Sequence, residues 1–255
     1  LENCSRKLKK GAPFLIYLYY RFDNRGLVFR LIALWSLLAL FGCSQSVDQR
    51  VLTSTEAAPN NYIVEFENDY VRIIRVKYSP GESSAMHSHE PFVGVTLTGT
   101  KDNVFTYLDG SSETRPPNSP GELIDDDLTV HAVKSKADFK TESIFVELKK
   151  PYTSDDPLIP NLTEVAPDTA AVVLEKPGIR VVRVKNLADS DTPLHSHRAG
   201  VSIPLTDMEV EVTSTSGEIK RVSRQAGDAS WEEPRAHSGK NLRSEPTEML
   251  IFELI

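Results

Sequence analysis

The sequence predicts an all-β protein built from two similar β-barrels in tandem. Three observations support this fold class. The segment from Val71 to His89 is repeated as the segment from Ile179 to His197, at a constant offset of 108 residues. Short runs that alternate apolar and charged residues recur in both copies, with the period of two that is typical of a half-buried strand. After residue 43, no segment keeps a helical period of 3.6 residues over three turns.

The repeat continues to the end of the chain. Gly121–Lys136 matches Gly227–Leu242 at an offset of 106 residues, and Glu147 aligns with Glu253 near the end of each copy. The runs that predict strands are rich in β-branched or aromatic residues and are separated by Gly, Pro, Asn and Asp; they include VRIIRVKY, VGVTLTGT, VFTYL, SIFVEL, IRVVRVK and MLIFEL. Strands this short and numerous favour a sandwich or a barrel.

The matches also predict the domain boundaries. Residues 61–150 are expected to form the first barrel and residues 171–255 the second. Residues 151–170 contain four prolines and are interpreted as the linker. Residues 43–60 are interpreted as a flexible tether that precedes the first barrel.

The start of the chain is typical of a targeting segment. An arginine precedes the apolar run 31–41, which suits the core of a signal peptide and is too short to cross a bilayer of about 30 Å as a helix. The run leads to LFGC, which resembles the lipobox of bacterial lipoproteins. This resemblance implies that Cys43 carries lipid and that the exported protein is anchored in the outer membrane, facing the periplasm. We expect residues 1–42 to be a signal peptide, with 1–27 an upstream extension; the alternative is a short buried or membrane-resting helix.

The charge distribution excludes nucleic acid as a partner. The net charge is −7, but residues 1–42 carry seven Lys or Arg and two acids, a net of +5, so the remaining 213 residues carry −12. Binding to phosphates requires clustered Lys and Arg, and no such patch follows residue 43. The expected partners are therefore a small molecule and, through Cys43, a membrane; the sequence also permits a homo-oligomer.

The six histidines are the strongest functional signal. They form two matching sets, each a His-Ser-His pair followed about forty residues later by one more histidine: His87, His89 and His131 in the first copy, and His195, His197 and His237 in the second. Residues i and i+2 of a strand point to the same face, so each pair can project together into a barrel. Imidazole is the commonest protein ligand for transition metals. A single His-x-His on a strand is more often structural, but two copies, each with a third histidine, favour a metal site in at least one barrel.

These motifs resemble those of the cupin family. Gly81, followed by five residues and then HSH, looks like the first cupin motif, and GDASWEEPRAHSGKN is similar to the second, with Gly227, Pro234, His237 and Asn241 in the expected order. The resemblance covers residues 61–255 and implies a bicupin, with two jelly-roll barrels in one chain. It also implies a divalent metal ion held by three histidines in each barrel; Fe, Mn, Ni, Cu and Zn are not distinguishable.

The sequence departs from the cupin pattern in two ways. A glutamate usually follows the second histidine of the first motif by a few residues, and those places hold Val93 and Gly94 in one copy and Val201 and Ser202 in the other. In the first copy, Thr129-Val130 precedes His131 without a proline, and Ser135 stands where the second copy has Asn241. The missing glutamate would make a bound metal more positive and favour an anionic ligand. It equally fits a cupin that has lost its metal.

We interpret the carboxylates elsewhere in the motifs as structural residues and not as site residues. Asp125–Asp127 and Glu232–Glu233 are expected to lie in solvated turns, and Glu90 is expected to point outward by strand alternation. Trp231 is interpreted as barrel packing. Val93 and Val201 are expected to face the pockets, so no general base can be named.

Two functional hypotheses follow from these observations. The first is a metal-dependent enzyme of dioxygenase type that acts on a small oxygenated molecule, because the metal and O₂ would then carry the reaction without a protein base. The second is a non-catalytic cupin that binds a small ligand or a metal. The fold does not choose between them. We also predict that the site of His195, His197 and His237 binds metal more tightly, since Pro234 and Asn241 support delivery of the third histidine.

Overall fold

The alternating segments of the sequence form the central strands of two equivalent sheets. The computed structural model describes residues 50–153 and 159–255. Val71–Tyr78 and Ile179–Asn186 are both eight-residue strands, in which arginine side chains alternate with buried valine and isoleucine. The described residues are otherwise almost entirely β-structure and turns, as predicted.

The first barrel contains one short helix and nine strands. These are α1 (Ser54–Ala57), β1 (Tyr62–Glu67), β2 (Val71–Tyr78), β3 (His87–Ser88), β4 (Phe92–Thr96), β5 (Asn103–Tyr107), β6 (Ser112–Arg115), β7 (Leu123–Asp126), β8 (Val130–Lys134) and β9 (Thr141–Leu148). Five strands form an antiparallel sheet in the order β1-β2-β9-β4-β7, and four form a second sheet in the order β3-β8-β5-β6.

The second barrel repeats this arrangement. Its elements are α2 (Leu162–Val165), β10 (Ala170–Lys176), β11 (Ile179–Asn186), β12 (Asp191–His197), β13 (Gly200–Pro204), β14 (Met208–Ser214), β15 (Ile219–Arg224), β16 (Ser230–Glu232), β17 (Arg235–Asn241) and β18 (Thr247–Leu254). The sheet orders are β10-β11-β18-β13-β16 and β12-β17-β14-β15. The pairing registers match those of the first barrel, so every strand position has an equivalent in the other copy.

The two helices extend each repeat beyond its expected start. Thr53 caps α1 and Asn161 caps α2, and the glutamate at the third position of each helix accepts a hydrogen bond from the backbone N–H of its cap. The backbone N–H of Ser88 donates to Leu52, and that of Ser196 donates to Pro160. Residues 52–60 and 160–170 therefore pack on their barrels, which corrects their interpretation as parts of a flexible tether and a linker.

The two five-stranded sheets pack against each other through one shared apolar core. The core takes side chains from the central strands of both barrels: Val71, Ile73, Val93, Val95, Ile144, Val146, Ile179, Val181, Val201, Ile203, Leu250, Phe252 and Leu254. Trp231 of β16 stacks on Phe66 and Tyr70 of the first barrel, with ring centroids 6.3 Å and 6.4 Å away. The prediction that Trp231 serves packing is thus correct, although it packs between the barrels.

At the edges of this core, an arginine of each barrel donates a hydrogen bond to the other barrel. Arg75 donates to the carbonyl of Gly227 at 2.8 Å, and its equivalent Arg183 donates to the carbonyl of Gly121. Both glycines have a positive φ, and a Cβ on Gly227 would lie 2.9 Å from Leu97. Glycine therefore allows the turn and the close approach of the two barrels at this point.

The prediction for Cys43 and the signal peptide lies outside the described residues. Among the residues described, no helix is both long and apolar enough to cross a membrane.

Candidate metal centres

In the second barrel, two neighbouring strands bring the three histidines together. His195 and His197 lie on β12, and His237 lies directly opposite His195 on β17. His195 and His197 are separated by one residue, so strand alternation places both on the inner face. All three side chains are mostly buried. The sequence predicted this set.

The three imidazole rings converge on one point. One ligand nitrogen from each ring lies within 4.8 Å of the other two. The Nε2 atoms of His195 and His197 are 2.8 Å apart, and both rings lie close to that of His237, with centroids 4.6 Å and 5.2 Å away. Three imidazoles at this separation match the ligand set of a metal site that keeps positions open for water or substrate.

The groups behind the rings determine which nitrogens face the centre. The Nδ1 atom of His195 lies 2.6 Å from the carbonyl oxygen of Pro193, so Nδ1 carries the proton and Nε2 presents a lone pair. The Nδ1 atom of His197 is buried and lies 3.6 Å from a carboxylate oxygen of Glu253. The Nε2 atoms of His195 and His197 lie 2.8 Å apart, so they share a proton in a hydrogen bond, and a metal ion bound by both would take the place of that proton.

Glu253 is itself fixed in position. Its side chain is almost fully buried, and one oxygen accepts hydrogen bonds from Arg180 at 2.6 Å and 3.0 Å. Burial alone would raise the pKa of Glu253, but His197 and Arg180 lower it overall, so this carboxylate is ionised. A carboxylate behind a histidine orients the ring and raises its basicity, which is the usual support of a metal-bound imidazole.

Two histidines of the second barrel, His195 and His237, are neutral at physiological pH. Burial, followed by the nearby imidazole of His197, lowers the pKa of His195 to about 4. Burial and the other two imidazoles lower the pKa of His237 to about 3. Neutral imidazole is the form that binds metal, so protons do not compete for these nitrogens near neutral pH.

The first barrel assembles a different donor set. His131 lies opposite His87, as in the second barrel, but the donors that lie within 4.8 Å of one another belong to His89, Asp126 and His131. His87 is outside this donor group, although its ring lies 4.9 Å from that of His131. Its Nδ1 lies 2.7 Å from the carbonyl of Ala85, and its buried Nε2 has no hydrogen-bond partner among the described residues. The structure thus places all three rings that the sequence proposed next to one another, but only two of them have donor atoms within 4.8 Å of each other and of Asp126.

These donors already have partners within the protein. The hydroxyl of Thr129 lies 3.1 Å from Nε2 of His89 and 3.0 Å from Nδ1 of His131, so it links the two rings. Asp126 lies 4.0 Å from Nε2 of His89 and binds Arg115 at 3.0 Å. Burial, followed by the other two imidazoles, lowers the pKa of His131 to about 3. In the second barrel, Arg235 takes the place of Thr129 and does not link the histidines.

Asp126 and Glu232 are site residues that the sequence interpretation missed. They were expected in solvated turns, but Asp126 ends β7, Glu232 ends β16, and both side chains line the pockets. They occupy equivalent positions, because β4 pairs Phe92 with Asp126 and β13 pairs Gly200 with Glu232. The offset of 106 residues between them was the available signal. Asp125 pairs with Lys176, Glu233 accepts a hydrogen bond from the indole N–H of Trp231, and Glu90 is exposed as expected.

Val93 and Val201 do not face the pockets. Both lie in the shared core between the barrels, which corrects the sequence-based prediction. Their neighbours Phe92 and Gly200 line the two cavities in their place. Asn241 does form the hydrogen bonds expected of it: its amide donates to the carbonyls of Leu187 and Glu245 at 2.8 Å and 3.2 Å.

The cavity of the second barrel has a volume of about 420 Å³ and opens from the three histidines. Aliphatic side chains form its walls, including Val184, Val210, Val222, Met249 and Ile251. Its charged lining is mainly basic, with Lys220, Arg224, Arg235 and Lys240 against the single carboxylate of Glu232. Glu232 accepts hydrogen bonds from Ser202 at 2.8 Å and Ser230 at 2.9 Å.

No protein-family model and no curated protein matches the chain. Solved structures do resemble it. AerE from Microcystis aeruginosa has a TM-score of 0.56 at 11% identity, over 76% of this chain and 91% of AerE. The oxalate decarboxylase of Lactobacillus farciminis in complex with formate has a TM-score of 0.50 at 14% identity, over 75% of this chain and 79% of that one. An oxalate decarboxylase variant from Bacillus subtilis has a TM-score of 0.51 at 13% identity, over 79% and 71%. These likenesses concern the fold, and the chain therefore consists of two tandem cupin-type jelly-roll barrels, the bicupin fold.

Proposed function

We propose that the protein is a metal-dependent bicupin enzyme whose reaction centre lies in the second barrel, and that it acts on a small anionic, oxygenated molecule in a dioxygenase-type reaction. The observation that carries this proposal is the convergence of the imidazoles of His195, His197 and His237, with one donor nitrogen from each within 4.8 Å of the others. The groups behind them support the same role, since Pro193 and Glu253 turn two of the rings so that Nε2 faces the centre.

The residues present fit a divalent transition metal. His195, His197 and His237 would hold it, and imidazole is a ligand suited to Fe, Mn, Ni, Cu or Zn. A bound metal of this kind would supply Lewis acidity and, where it is redox-active, chemistry with O₂. The protein would contribute a cavity with aliphatic walls and an ordered set of charged groups at its polar end.

The charge of the cavity favours an anionic substrate. Arg235 lies two residues before His237 on β17 and is paired with Glu232 at 3.1 Å, which fixes its guanidinium beside the histidines. Arg224 is held by the hydroxyl and the carbonyl of Ser202 at 2.6 Å and 2.9 Å. Both arginines can offer their remaining N–H donors to a carboxylate or enolate of the substrate.

The lack of a free general base favours oxygen chemistry over hydrolysis or isomerisation. Glu232 is the one carboxylate that lines this cavity within the described part of the chain. It already accepts hydrogen bonds from Ser202 and Ser230 and pairs with Arg235, so its oxygens are committed. The same observation supports the second candidate function, a non-catalytic cupin that binds a metal or a small anion.

Elemental analysis and oxygen uptake distinguish these functions. The untagged full chain is purified and its metal content measured, beside a His195→Ala/His197→Ala variant. Oxygen consumption is then screened with small hydroxy- and keto-carboxylates. Metal together with substrate-dependent oxygen uptake supports the enzyme, and metal without turnover supports the binding protein. A chain that binds no transition metal refutes both forms of the metal proposal.

We also propose that Cys43 anchors the protein in a membrane as a lipid-modified residue. The apolar run 31–41 before Gly42-Cys43 and the polar segment after it support this proposal. Expression in a bacterial host with labelled palmitate should label the protein, and Cys43→Ala should abolish labelling and leave an unprocessed chain. Equal labelling of the variant would contradict it.

A further inference from the structure

The cavity of the first barrel differs from its counterpart in the chemistry of its walls. It has a volume of about 330 Å³, and five aromatic side chains line it: Tyr62, Tyr78, Phe92, Phe105 and Phe145. The engineered apolar cavity that is known to bind benzene has a volume of about 150 Å³. This cavity is therefore large enough to hold one aromatic ring with substituents.

The aromatic lining is not required by the fold. The pairing registers identify the equivalent residue at each of the five positions in the second barrel, and none is aromatic: Ala170, Asn186, Gly200, Val212 and Ile251. The same strands close a barrel in both cases, so aliphatic and small residues would suffice for packing. The concentration of rings in one barrel indicates a role in binding.

The rings are arranged to receive a further ring. Phe92 stacks on Phe145 with centroids 3.9 Å apart and planes at 8°, and Tyr62 meets Phe145 at 6.4 Å and 59°. Phe105 lies across the cavity on β5, with the guanidinium of Arg115 4.0 Å from its centroid. An aromatic ligand gains edge and face contacts with such rings beyond the burial of its apolar surface.

The polar groups of this cavity favour a neutral ligand with one hydroxyl. Arg115 is neutralised by Asp126 at 3.0 Å and by Glu113 at 2.7 Å. Ser143 lies on the inner face of β9, two residues before Phe145, and its hydroxyl makes no hydrogen bond within the described part of the chain. Its equivalent in the second barrel is Met249, which offers no hydroxyl.

Most of the possible metal donors of this barrel have partners within the protein; the exception among its described histidines is Nε2 of His87, which is buried without a hydrogen-bond partner. Thr129 bridges His89 and His131, and Arg115 holds Asp126, so the three groups that could bind a metal are already linked within the protein. A ligand can therefore occupy the aromatic cavity without a metal ion at its base.

We propose that the first barrel is a metal-independent binding site for a small, neutral aromatic alcohol of the phenol class. The ring lies among Phe92, Phe105 and Phe145, and the hydroxyl of the ligand bonds to Ser143. One chain thus carries two different sites, a cationic one beside three histidines and a neutral aromatic one.

Fluorine NMR on the full chain tests this proposal with 4-fluorophenol as the probe. We expect saturable binding that is unchanged by excess EDTA. Cyclohexanol should displace the probe far less well than phenol, because it matches the ring in size but lacks the π-system. The anion 4-fluorobenzoate should bind the neutral cavity more weakly. Loss of probe binding on chelation would overturn the metal-independent site, and equal displacement by cyclohexanol would overturn the role of the rings.

Two variants and a matched control locate the probe. Ser143→Ala should weaken 4-fluorophenol binding about tenfold, the effect of one lost hydrogen bond. Phe105→Val, which introduces the residue found at the equivalent position, should weaken it by a similar factor. Val212→Ala, the matching change in the second barrel, should have no effect. A thermal melt shows that each variant is folded. Sensitivity to Val212→Ala, or indifference to both first-barrel variants, would refute the assignment.

Discussion

Replacing Glu253 with glutamine should weaken metal binding in the second barrel while leaving its three histidines in place. Glu253 lies 3.6 Å from Nδ1 of His197 and accepts two hydrogen bonds from Arg180. Glutamine keeps the size of the side chain but removes its charge, so it no longer favours the proton on Nδ1 or increases the basicity of Nε2. The ring of His197 then loses the group that directs Nε2 toward His195.

The expected magnitude follows from the burial of this contact. The carboxylate of Glu253 is almost completely buried, so solvent screens the interaction little. Loss of such a supporting group commonly costs about 10–100-fold in metal affinity, which is about 1.4–2.7 kcal/mol. The metal-free protein should also lose about 1–3 kcal/mol of stability, because Arg180 is left mostly buried without its counter-charge.

Glu147→Gln is the matched control. Glu147 is the equivalent residue of the first barrel, but it pairs with Arg72 at 3.2 Å and does not contact a histidine, because Nδ1 of His89 lies 2.9 Å from the carbonyl of Glu90. Burial, only partly offset by Arg72, raises the pKa of Glu147 to about 7, so a neutral amide is a mild change. Metal affinity is measured by competition with a coloured chelator. Equal effects of the two variants, or no effect of Glu253→Gln, would refute the role given to Glu253.

Three further predictions concern the histidines and their support. His195→Ala/His197→Ala should abolish metal binding and His87→Ala/His89→Ala should leave most of it, as shown by elemental analysis; the reverse result would place the metal in the first barrel. Asn241→Ala should cost about 1–3 kcal/mol in urea unfolding, because the buried amide of Asn241 loses its hydrogen bonds with Leu187, Glu245 and Arg243, whereas Ser135→Ala at the matching position should cost less than about 1 kcal/mol. Metal-free protein should lose stability as the pH falls from about 6.5 toward 4, because His131, His195 and His237 take up protons only when unfolded. Glu147 acts in the opposite direction below pH 7, but burial also lowers the pKa of His87, so it is one group against four. Thermal midpoints that rise on acidification would contradict this expectation.

The histidine pairs and the fold could be predicted because they depend on local patterns. A period of two in VRIIRVKY and IRVVRVK predicts strands, and two histidines separated by one residue must share a face of such a strand. Because the repeat relates the two copies, any feature of one copy predicts a position in the other. These patterns do not depend on which strands become neighbours.

The orientation of Val93 and Val201 could not be predicted, because alternation shows which residues share a face but not where that face points. In these five-stranded sheets both faces are buried, one inside the barrel and one against the other barrel. An apolar residue is equally suited to either face of the sheet. The packing of one barrel on the other decides the orientation, and a single copy of the motif contains no signal for it.

The missed carboxylates and helices have different causes. The placement of Asp126 depends on its pairing with Phe92 across thirty-four residues, a register that no local pattern specifies. Helices α1 and α2 are only four residues long, too short for a period of 3.6 to be visible. Their signal was the repeat itself, since TEAAP at 55–59 returns as TEVAP at 163–167.

The edge strands β7 and β16 connect the packing of the barrels to the chemistry of the pockets. On β16, Trp231 stacks on rings of the first barrel while Glu232 faces the histidines of the second. On β7, Asp125 pairs with Lys176 of the second barrel while Asp126 faces His89. Adjacent residues of a strand point to opposite faces, so a contact made with one barrel positions the carboxylate of the other. Contacts between the barrels at Trp231 and Asp125 therefore help to orient the neighbouring acidic side chains, Glu232 and Asp126, toward their pockets.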